Sequence, residues 1–190
     1  MRITKAQAQE NRDRVVGLAA EMFRDRGFDG VAVSDLMRAA GFTHGGFYNH
    51  FASKEALAAE ALGSAWTQMA HARGRARDLE ELLLHYLSPA ARRAPGKSCP
   101  AAALAGEVAR QGEAVRTVFA EGLEQMIAEV EAGLPPDAEG GLPAHDRAIG
   151  LVTRMVGALM LSRAVPDASP LAAELLEATR RGAAREAQDA

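Results

Sequence analysis

The stretch from Gly41 to Glu55, with the sequence GFTHGGFYNHFASKE, decides the fold. Gly41 can end a preceding helix in the left-handed conformation. The hydroxyl groups of Thr43 and Ser53 can each accept a hydrogen bond from the first turn of a following helix. The two caps lie ten residues apart, which leaves room for about two helical turns between them. The stretch therefore predicts a turn, a short helix, a second turn and the start of a longer helix.

The first turn of the short helix contains two glycines, Gly45 and Gly46. Each costs about 1 kcal/mol relative to alanine in a helix, whereas glycine is favoured where a backbone must approach another surface closely. Phe47 and Phe51 are four residues apart and can anchor one face of the helix to a core. The other faces of the helix carry the polar side chains of His44, Tyr48 and Asn49. An exposed polar face on a short, anchored helix suits the major groove of DNA.

A second predicted helix comes just before, over Val33 to Ala40, with Ser34 as its cap. A helix, a glycine-containing turn and a second helix make the helix-turn-helix pattern, whose second helix reads DNA. With these residues, the stretch from Val33 to Leu57 resembles the DNA-binding domain of TetR-family transcriptional regulators. The signature of that family is a glycine turn, a capped short helix with Tyr-x-His-Phe, and then Lys-Glu-x-Leu. The matching residues are Gly41, Tyr48, His50, Phe51, Lys54, Glu55 and Leu57.

The resemblance implies an all-α protein with two domains. Residues 1–53 would form a three-helix helix-turn-helix DNA-binding domain, and residues 54–190 a helical effector-binding and dimerisation domain. The family resemblance further implies a homodimer on a near-palindromic operator, usually a repressor that a small effector releases. Phosphate or groove-edge contacts would come from Thr43, Tyr48, Asn49, His50 and Lys54. Base edges would be met by His44, Gly45 and Gly46, with Ser34 as a helper.

Some of these roles have alternatives. His50 is a phosphate contact or a packing histidine. Basic residues of the first predicted helix are further phosphate candidates or part of a solvated face, and they are Arg2, Lys5, Arg12 and Arg14. The clustered phenylalanines have the spacing of core anchors, and the predicted core of the head is formed by Phe23, Phe28, Leu36, Phe47 and Phe51.

Composition excludes several other classes of protein. The chain is 48% hydrophobic and 25% charged, and no stretch of about 18 uncharged apolar residues predicts a membrane helix. The polar N-terminus lacks an apolar signal core, so we expect a cytoplasmic location. A single cysteine provides neither an internal disulfide nor a metal framework. Because paired carboxylates, metal-ligand spacing and a phosphate loop are also missing, we expect no enzyme activity, no metal and no cofactor.

Charge differs between the two predicted domains. Residues 1–54 carry 8 Lys/Arg and 6 Asp/Glu, whereas residues 55–190 carry 14 and 19. A mildly basic head on an acidic body would turn the head toward phosphates.

The rest of the chain is predicted as a series of helices. The first helix starts with the capping box Thr4-x-x-Gln and ends at Gly27, and the fourth starts after Ser53 and runs to about Arg73. Further helices are predicted after Asp78, ending at Pro89, and from Ser98 or Cys99 onward, with a loop over residues 92–98. Helices over residues 115–130 and 144–165 follow, separated by a loop over 133–143, and Ser169-Pro170 opens the last one. The helix over 144–165 is apolar nearly all round, which predicts burial on more than one side and favours a dimer interface over a monomer.

Cys99 is the one residue with reactive thiol chemistry. A helix start, together with Lys97, Arg92 and Arg93 nearby, favours the reactive thiolate form. The function that competes with an effector-released repressor is therefore a sensor of oxidants or electrophiles with the same fold. The other interpretation of Cys99 is a small buried residue at a helix end. An effector pocket in the body would be apolar, since Met and Leu dominate its predicted helices, although such stripes are also typical of plain core.

Overall fold

The computed structural model describes residues 4–135 and 141–186, and within them the chain is helical, with no β-strand. Arg2 and part of the loop predicted over 133–143 lie outside these residues. Nine α-helices are described, with two short 3₁₀ segments at His44–Asn49 and Pro95–Lys97. The α-helices are α1 (Lys5–Arg26), α2 (Val33–Ala39), α3 (Lys54–Arg73), α4 (Leu79–Tyr86), α5 (Pro89–Arg93), α6 (Pro100–Val108), α7 (Glu113–Ala132), α8 (Ala144–Ala164) and α9 (Leu171–Glu186). The all-α prediction is confirmed.

The head, by which we mean the described residues before Lys54, packs around an aromatic core. The hydroxyl of Thr4 caps α1 by accepting a hydrogen bond of 3.2 Å from the backbone N–H of Gln7. Gly27 ends α1, and its N–H donates to the carbonyl oxygen of Phe23. All five predicted core residues of the head are buried, namely Phe23, Phe28, Leu36, Phe47 and Phe51.

The turn after α2 has the predicted geometry. Gly41 has a φ of 83°, and Phe42 N–H donates to the carbonyl oxygen of Met37 over 2.8 Å. This is the hydrogen bond of a helix end that is closed by a left-handed glycine. The prediction that Ser34 caps α2 is wrong, because Ala32 occupies the cap position in an extended conformation and Ser34 is the second residue of the helix.

The long helix α3 is the first element of the body, by which we mean the described residues from Lys54 onward, and it begins directly behind the head. Ser53 caps it as predicted, since its Oγ accepts a 3.0 Å hydrogen bond from Ala56 N–H. Along its length α3 packs against α1 and α7. The domain boundary after residue 53 stays a prediction, and α3 begins directly behind it.

Polar contacts hold the end of α1 against the body. Arg24 is buried and donates to Gln68 Oε1 on α3 and to the carbonyl oxygen of Ser98. The carboxylate of Asp25 accepts a 2.6 Å hydrogen bond from Gly96 N–H. The carboxylate of Glu107 on α6 accepts one of 2.8 Å from Phe28 N–H. The position of the head is therefore fixed to α6 and to the turn before it.

Two details of the body differ from the sequence prediction. Pro89 begins α5 instead of ending α4, because Ser88 caps the new helix through a 3.1 Å bond to Ala91 N–H and proline suits the first helical position. Much of the loop predicted over residues 92–98 is consequently helical, as α5 and the 3₁₀ turn Pro95–Lys97. Helix α6 starts after Cys99, as expected.

Helix α8 is buried on one side only within a single chain. Leu151, Met155 and Leu159 are in the core, whereas Ile149 and Leu161 are exposed, Leu161 by 57%. A single chain does not cover the second side of α8, so its predicted burial in a dimer interface stays a prediction. No helix within residues 4–135 and 141–186 has the length and apolar character needed to cross a membrane.

Candidate DNA-binding surface and internal cavity

The segment His44–Asn49, which we call the reading helix, is a 3₁₀-helix of 6 residues. Its bonds include Gly46 N–H to the carbonyl oxygen of Thr43 and His50 N–H to that of Phe47. The predicted short helix is therefore present, and it takes the i→i+3 pattern because tandem glycines stabilise an α-helix poorly and short segments favour 3₁₀ geometry. Thr43 stands in the cap position, but its hydroxyl makes no capping hydrogen bond.

The reading helix has one buried and one exposed face. Phe47 is 1% exposed and its ring packs on that of Phe51, with 5.4 Å between the ring centroids. Tyr48 is 67% exposed. Its ring meets Phe47 edge-on at 5.2 Å, which supports the exposed side chain from below. His44, Gly45 and Asn49 are exposed beside it, and the His44 ring lies 6.2 Å from that of Tyr48.

Gly45 faces open space. A Cβ atom added there would have no heavy atom of the protein within 4 Å, and one added at Gly46 would make only ordinary contacts at 3.7 Å. No contact inside the described protein therefore requires a glycine at position 45. A requirement for a small residue there would come from a surface outside the chain.

Most predicted DNA contacts are contiguous in the chain. Thr43 is exposed, His50 is half-buried beside the Phe51 ring, and Lys54 is the first residue of α3. A cation at a helix N-terminus makes a suitable phosphate site. Ser34 is exposed on α2, apart from this run.

Arg12 belongs to the internal structure of the head. Its guanidinium forms an ion pair with Glu60 on α3 and lies 4.6 Å from the centroid of the Phe51 ring. These contacts favour the structural alternative over a phosphate contact for this residue. Lys5 and Arg14 are exposed on α1.

The body contains a partly open cavity of about 340 Å³, which we call the main cavity. Its volume lies within the range that is usual for small-molecule sites. The walls come from α3, α4, α5, the segment 97–99 and α8, and they are mostly apolar. The lining residues are Met69, Ala72, Arg73, Ala76, Leu82, His85, Tyr86, Ser88, Ala90, Ala91, Ala94, Lys97, Ser98, Cys99 and Leu159.

Cys99 lies in the wall of the main cavity and is fully buried. The basic residues expected around it are arranged differently. Arg92 donates to the carbonyl oxygens of Ser162 and Val165 and pairs with Asp167. Lys97 lies 3.9 Å from Glu21. Arg163, which the sequence analysis did not single out, reaches Ser98 Oγ and the carbonyl oxygen of Ala102.

Two polar side chains in the cavity wall were also missed. Arg73 is 7% exposed; its Nε pairs with Glu129, whereas its Nη1 is buried and has no hydrogen-bond partner among the described residues. Tyr86 is 4% exposed, and its hydroxyl has no nitrogen or oxygen partner among the described residues, although the Cys99 thiol lies close enough to interact with it. Burial, followed by the neighbouring Cys99, raises the pKa of Tyr86 well above its ordinary value. Its hydroxyl therefore stays protonated and remains a donor.

A signal for Arg73 was present in the sequence. Leu57, Ala61, Ala65 and Met69 form an apolar series at intervals of four, and Arg73 is its next member. A charged residue that continues an apolar stripe is a candidate for a buried site. For Tyr86, the stripe on α4 predicted burial but gave no indication of an unpaired hydroxyl.

Comparisons with known proteins agree with these features. The profile of the family described as "Bacterial regulatory proteins, tetR family" matches residues 16–61. The HTH-type transcriptional repressor KstR2 of Mycolicibacterium smegmatis is 42% identical over 59 residues, which is 31% of this chain and 29% of the repressor. The chain thus matches less than a third of that relative's length. An uncharacterized HTH-type transcriptional regulator of Mycobacterium tuberculosis is 28% identical over 181 residues, 86% of this chain and 89% of the relative.

Solved structures share the fold over nearly the whole chain. A transcriptional regulator of the TetR family from Cytophaga hutchinsonii superposes with a TM-score of 0.74 and 20% identity, covering 98% of both chains. The reduced form of NemR from Escherichia coli gives a TM-score of 0.72 at 19% identity, covering 91% of this chain and 94% of the other. Residues 16–61 thus match the helix-turn-helix region of the TetR family of bacterial regulatory proteins, and the chain shares the all-helical fold of solved TetR-family regulators.

Proposed function

We propose that the protein is a cytoplasmic, DNA-binding transcriptional repressor, which leaves its operator when a small effector binds in the main cavity. The observation that carries the proposal is the exposed polar face of the reading helix, anchored from below by Phe47 and Phe51. KstR2, which is similar in this region, is named a transcriptional repressor. DhaR of a Mycobacterium species, 27% identical over 148 residues, is named so as well.

The proposed roles follow from exposure and position. The base edges are met by His44, Gly45 and Gly46. The ring nitrogens of His44 can form hydrogen bonds with the bases, and the small glycines allow a close approach to the groove. Phosphate or groove-edge contacts come from Thr43, Tyr48, Asn49, His50 and Lys54, with Ser34 as a helper. Phosphate contacts fix the register of the head, and base contacts select the sequence.

The operator-bound form is proposed to be a homodimer. Ile149, Val156 and Met160 recur on one side of α8, where Ile149 and Met160 are exposed and Val156 is half-buried. A second copy packed on this stripe would remove it from water. Two heads in such a dimer read half-sites about 34 Å apart, so the operator is expected to be near-palindromic.

Helix α3 is the proposed connection between effector and DNA. Its first residue, Lys54, follows the reading helix closely, and its last, Arg73, lies in the cavity wall. A ligand that prefers one position of α3 shifts the population between two spacings of the heads. Release requires that the ligand bind the DNA-free form better, and the coupling is reciprocal.

Binding to DNA from upstream of the protein's own gene, at fixed salt and with competitor DNA, tests the proposal. The native protein should form a competitor-resistant complex, and Tyr48→Ala should lose it while keeping its helix content. Leu84→Ala, at another exposed apolar residue on α4, is the matched control and should bind like the native protein. Specific binding that survives in Tyr48→Ala would show that the reading helix is assigned wrongly.

A thiol sensor of the same fold is the second candidate, because Cys99 lines the main cavity. Only an oxidant or electrophile small enough to enter the cavity would reach it. Such an agent should release the native protein from DNA and leave a Cys99→Ser variant bound. Equal behaviour of both proteins would exclude this candidate.

A further inference from the structure

The main cavity has donors and positive charge in its walls but no carboxylate. Arg73, Lys97 and His85 supply cationic or titratable nitrogens, and Tyr86 supplies a hydroxyl, while Asp and Glu are absent from the lining. The rest of the wall is built mostly from alanine, methionine and leucine side chains, together with Ser88, Ser98 and Cys99. This arrangement fits a ligand with an apolar body and one anionic end.

Two of these donors are unusual because they are buried and lack partners. Buried polar groups are nearly always hydrogen-bonded in folded proteins, yet neither Arg73 Nη1 nor Tyr86 Oη has a nitrogen or oxygen partner within the described residues. Both residues are more than nine-tenths buried. Both line the main cavity, and the positive charges of Arg163 and Arg73 counteract part of the rise in the pKa of Tyr86.

A second cavity, of about 390 Å³, shares Arg73, Ala76 and Leu82 with the first. Its walls include the carboxylates of Asp78 and Glu129, which would repel an anion. Arg73 already pairs with Glu129 through Nε, so its acidic partner lies toward this second cavity. An anionic ligand is therefore expected in the main cavity, where no such repulsion occurs.

We propose that the main cavity binds a small amphipathic carboxylate, whose oxygens accept hydrogen bonds from Arg73 Nη1 and Tyr86 Oη. The apolar part of the ligand lies against Met69, Leu82 and Leu159. Arginine presents its donors in a fixed planar fork, which matches a carboxylate. The inference rests on the proposed function in taking this cavity as the effector site. It adds the chemical class of the effector and the two residues that recognise it.

This position would connect the ligand to the DNA-reading half of the protein. Arg73 is the last residue of α3, and Tyr86 is the last residue of α4. A carboxylate bound to both would join the ends of these helices, on top of the existing contact between Arg73 and α7. The ligand would thus act on α3 directly.

Calorimetric titration of the full chain with matched probes tests the inference. The probes are octanoate and 4-butylbenzoate, each compared with its primary amide, which keeps the shape and a carbonyl acceptor but removes the charge. Octylamine reverses the charge. Since hydrogen bonds to charged groups are roughly twice as strong as neutral ones, we expect each carboxylate to bind roughly tenfold or more tightly than its amide. The amine should not bind measurably.

Variants assign the selectivity to residues. Arg73→Met should reduce carboxylate affinity to that of the amide, and Tyr86→Phe should lower it by a smaller factor. Arg75→Met is the control, because Arg75 is exposed just beyond α3 and does not line the cavity. If Arg73→Met fails to fold with Glu129 left unpaired, the double variant Arg73→Met with Glu129→Gln removes both charges and gives the same comparison.

Two outcomes would overturn the inference: equal affinity for carboxylate and amide, or failure of both carboxylates to bind at millimolar concentration. A preference for carboxylates that Arg73→Met leaves unchanged would overturn the assignment of the residue. Operator binding is measured separately with the same proteins. Loss of carboxylate selectivity with intact operator binding refutes only this inference, whereas absent operator binding refutes the proposed function.

Discussion

Arg24 Nη1 donates a 3.2 Å hydrogen bond to the carbonyl oxygen of Ser98, and this bond joins the first helix of the head to the wall of the main cavity. The same guanidinium also reaches Gln68 on α3. Burial lowers the pKa of Arg24 from its ordinary value, although the charges of Glu21, Cys99 and Asp25 counteract the effect. The cation therefore connects three segments: α1, α3 and the turn at Ser98.

Replacing Arg24 with methionine should weaken the connection between these three segments. The variant keeps an apolar stem but leaves the Ser98 carbonyl without its buried donor, so we expect a loss of about 2 kcal/mol in the free energy of unfolding. Urea denaturation measures it. Arg26→Met, at an exposed position of the same helix, should stay within about 0.5 kcal/mol of the native protein. Equal stability of the two variants would argue against a structural role for the Arg24 bonds.

Gly45→Ala separates a role in DNA binding from a role in folding. Because a Cβ atom meets no protein atom there, alanine should leave stability unchanged or raise it by up to about 1 kcal/mol. Specific DNA affinity should nevertheless fall, since the added methyl group projects from the surface that approaches the groove. Fluorescence anisotropy with labelled operator DNA, beside thermal unfolding, measures both. Unchanged affinity would remove Gly45 from the proposed contact surface.

Gly122 on α7 lies against Trp66 on α3. A Cβ atom at Gly122 would be 2.3 Å from Trp66 Cγ, so Gly122→Ala should destabilise the protein by about 1–3 kcal/mol through overpacking. Gly106→Ala is the matched control, since no atom lies within 4 Å of the position. Without a clash, alanine in a helix should stabilise by about 0.5–1 kcal/mol. Denaturant unfolding of both variants tests whether Gly122→Ala lowers the free energy of unfolding and Gly106→Ala raises it.

The exposed side of α8 should control assembly. Replacing Ile149 with glutamate puts a charge into the proposed dimer contact, and light scattering should then report a monomer where the native chain is a dimer. Leu84→Glu, on the exposed side of α4, should leave the dimer intact. A native chain that is monomeric at micromolar concentration, or an Ile149→Glu variant that still dimerises, would contradict the proposed interface.

The head was predictable from sequence because its signals are local. Thr4, Ser53 and Asp78 each cap the helix that follows them, as expected, and Gly41 takes the left-handed conformation. Errors arose where two local signals compete. Ser34 has the chemistry of a cap, but the helix starts two residues too early for it to act as one, because Ala32 holds the cap position. Pro89 can end one helix or begin the next.

The internal site was less predictable because it depends on tertiary packing. Arg73 and Tyr86 come from different helices, and only the fold shows that both are buried beside one cavity. The apolar series at intervals of four residues on α3 pointed to Arg73, but nothing in the sequence pointed to the unpaired hydroxyl of Tyr86. Helix α8 is apolar nearly all round, as the sequence indicates, but a single chain covers only one side of it. A sequence pattern cannot distinguish burial within a chain from burial between chains.

The contacts between head and body have a consequence for how the sequence of the protein can change in evolution. Arg24 binds the carbonyl oxygen of Ser98, and Asp25 binds the backbone N–H of Gly96. Both acceptor and donor are main-chain atoms, which every amino acid except proline provides. The side chains of Lys97 and Cys99, which belong to the same short segment, line the main cavity. Under the proposed function, substitutions at these two positions would change which molecule is sensed, while the main-chain contacts between head and body would be inherited intact.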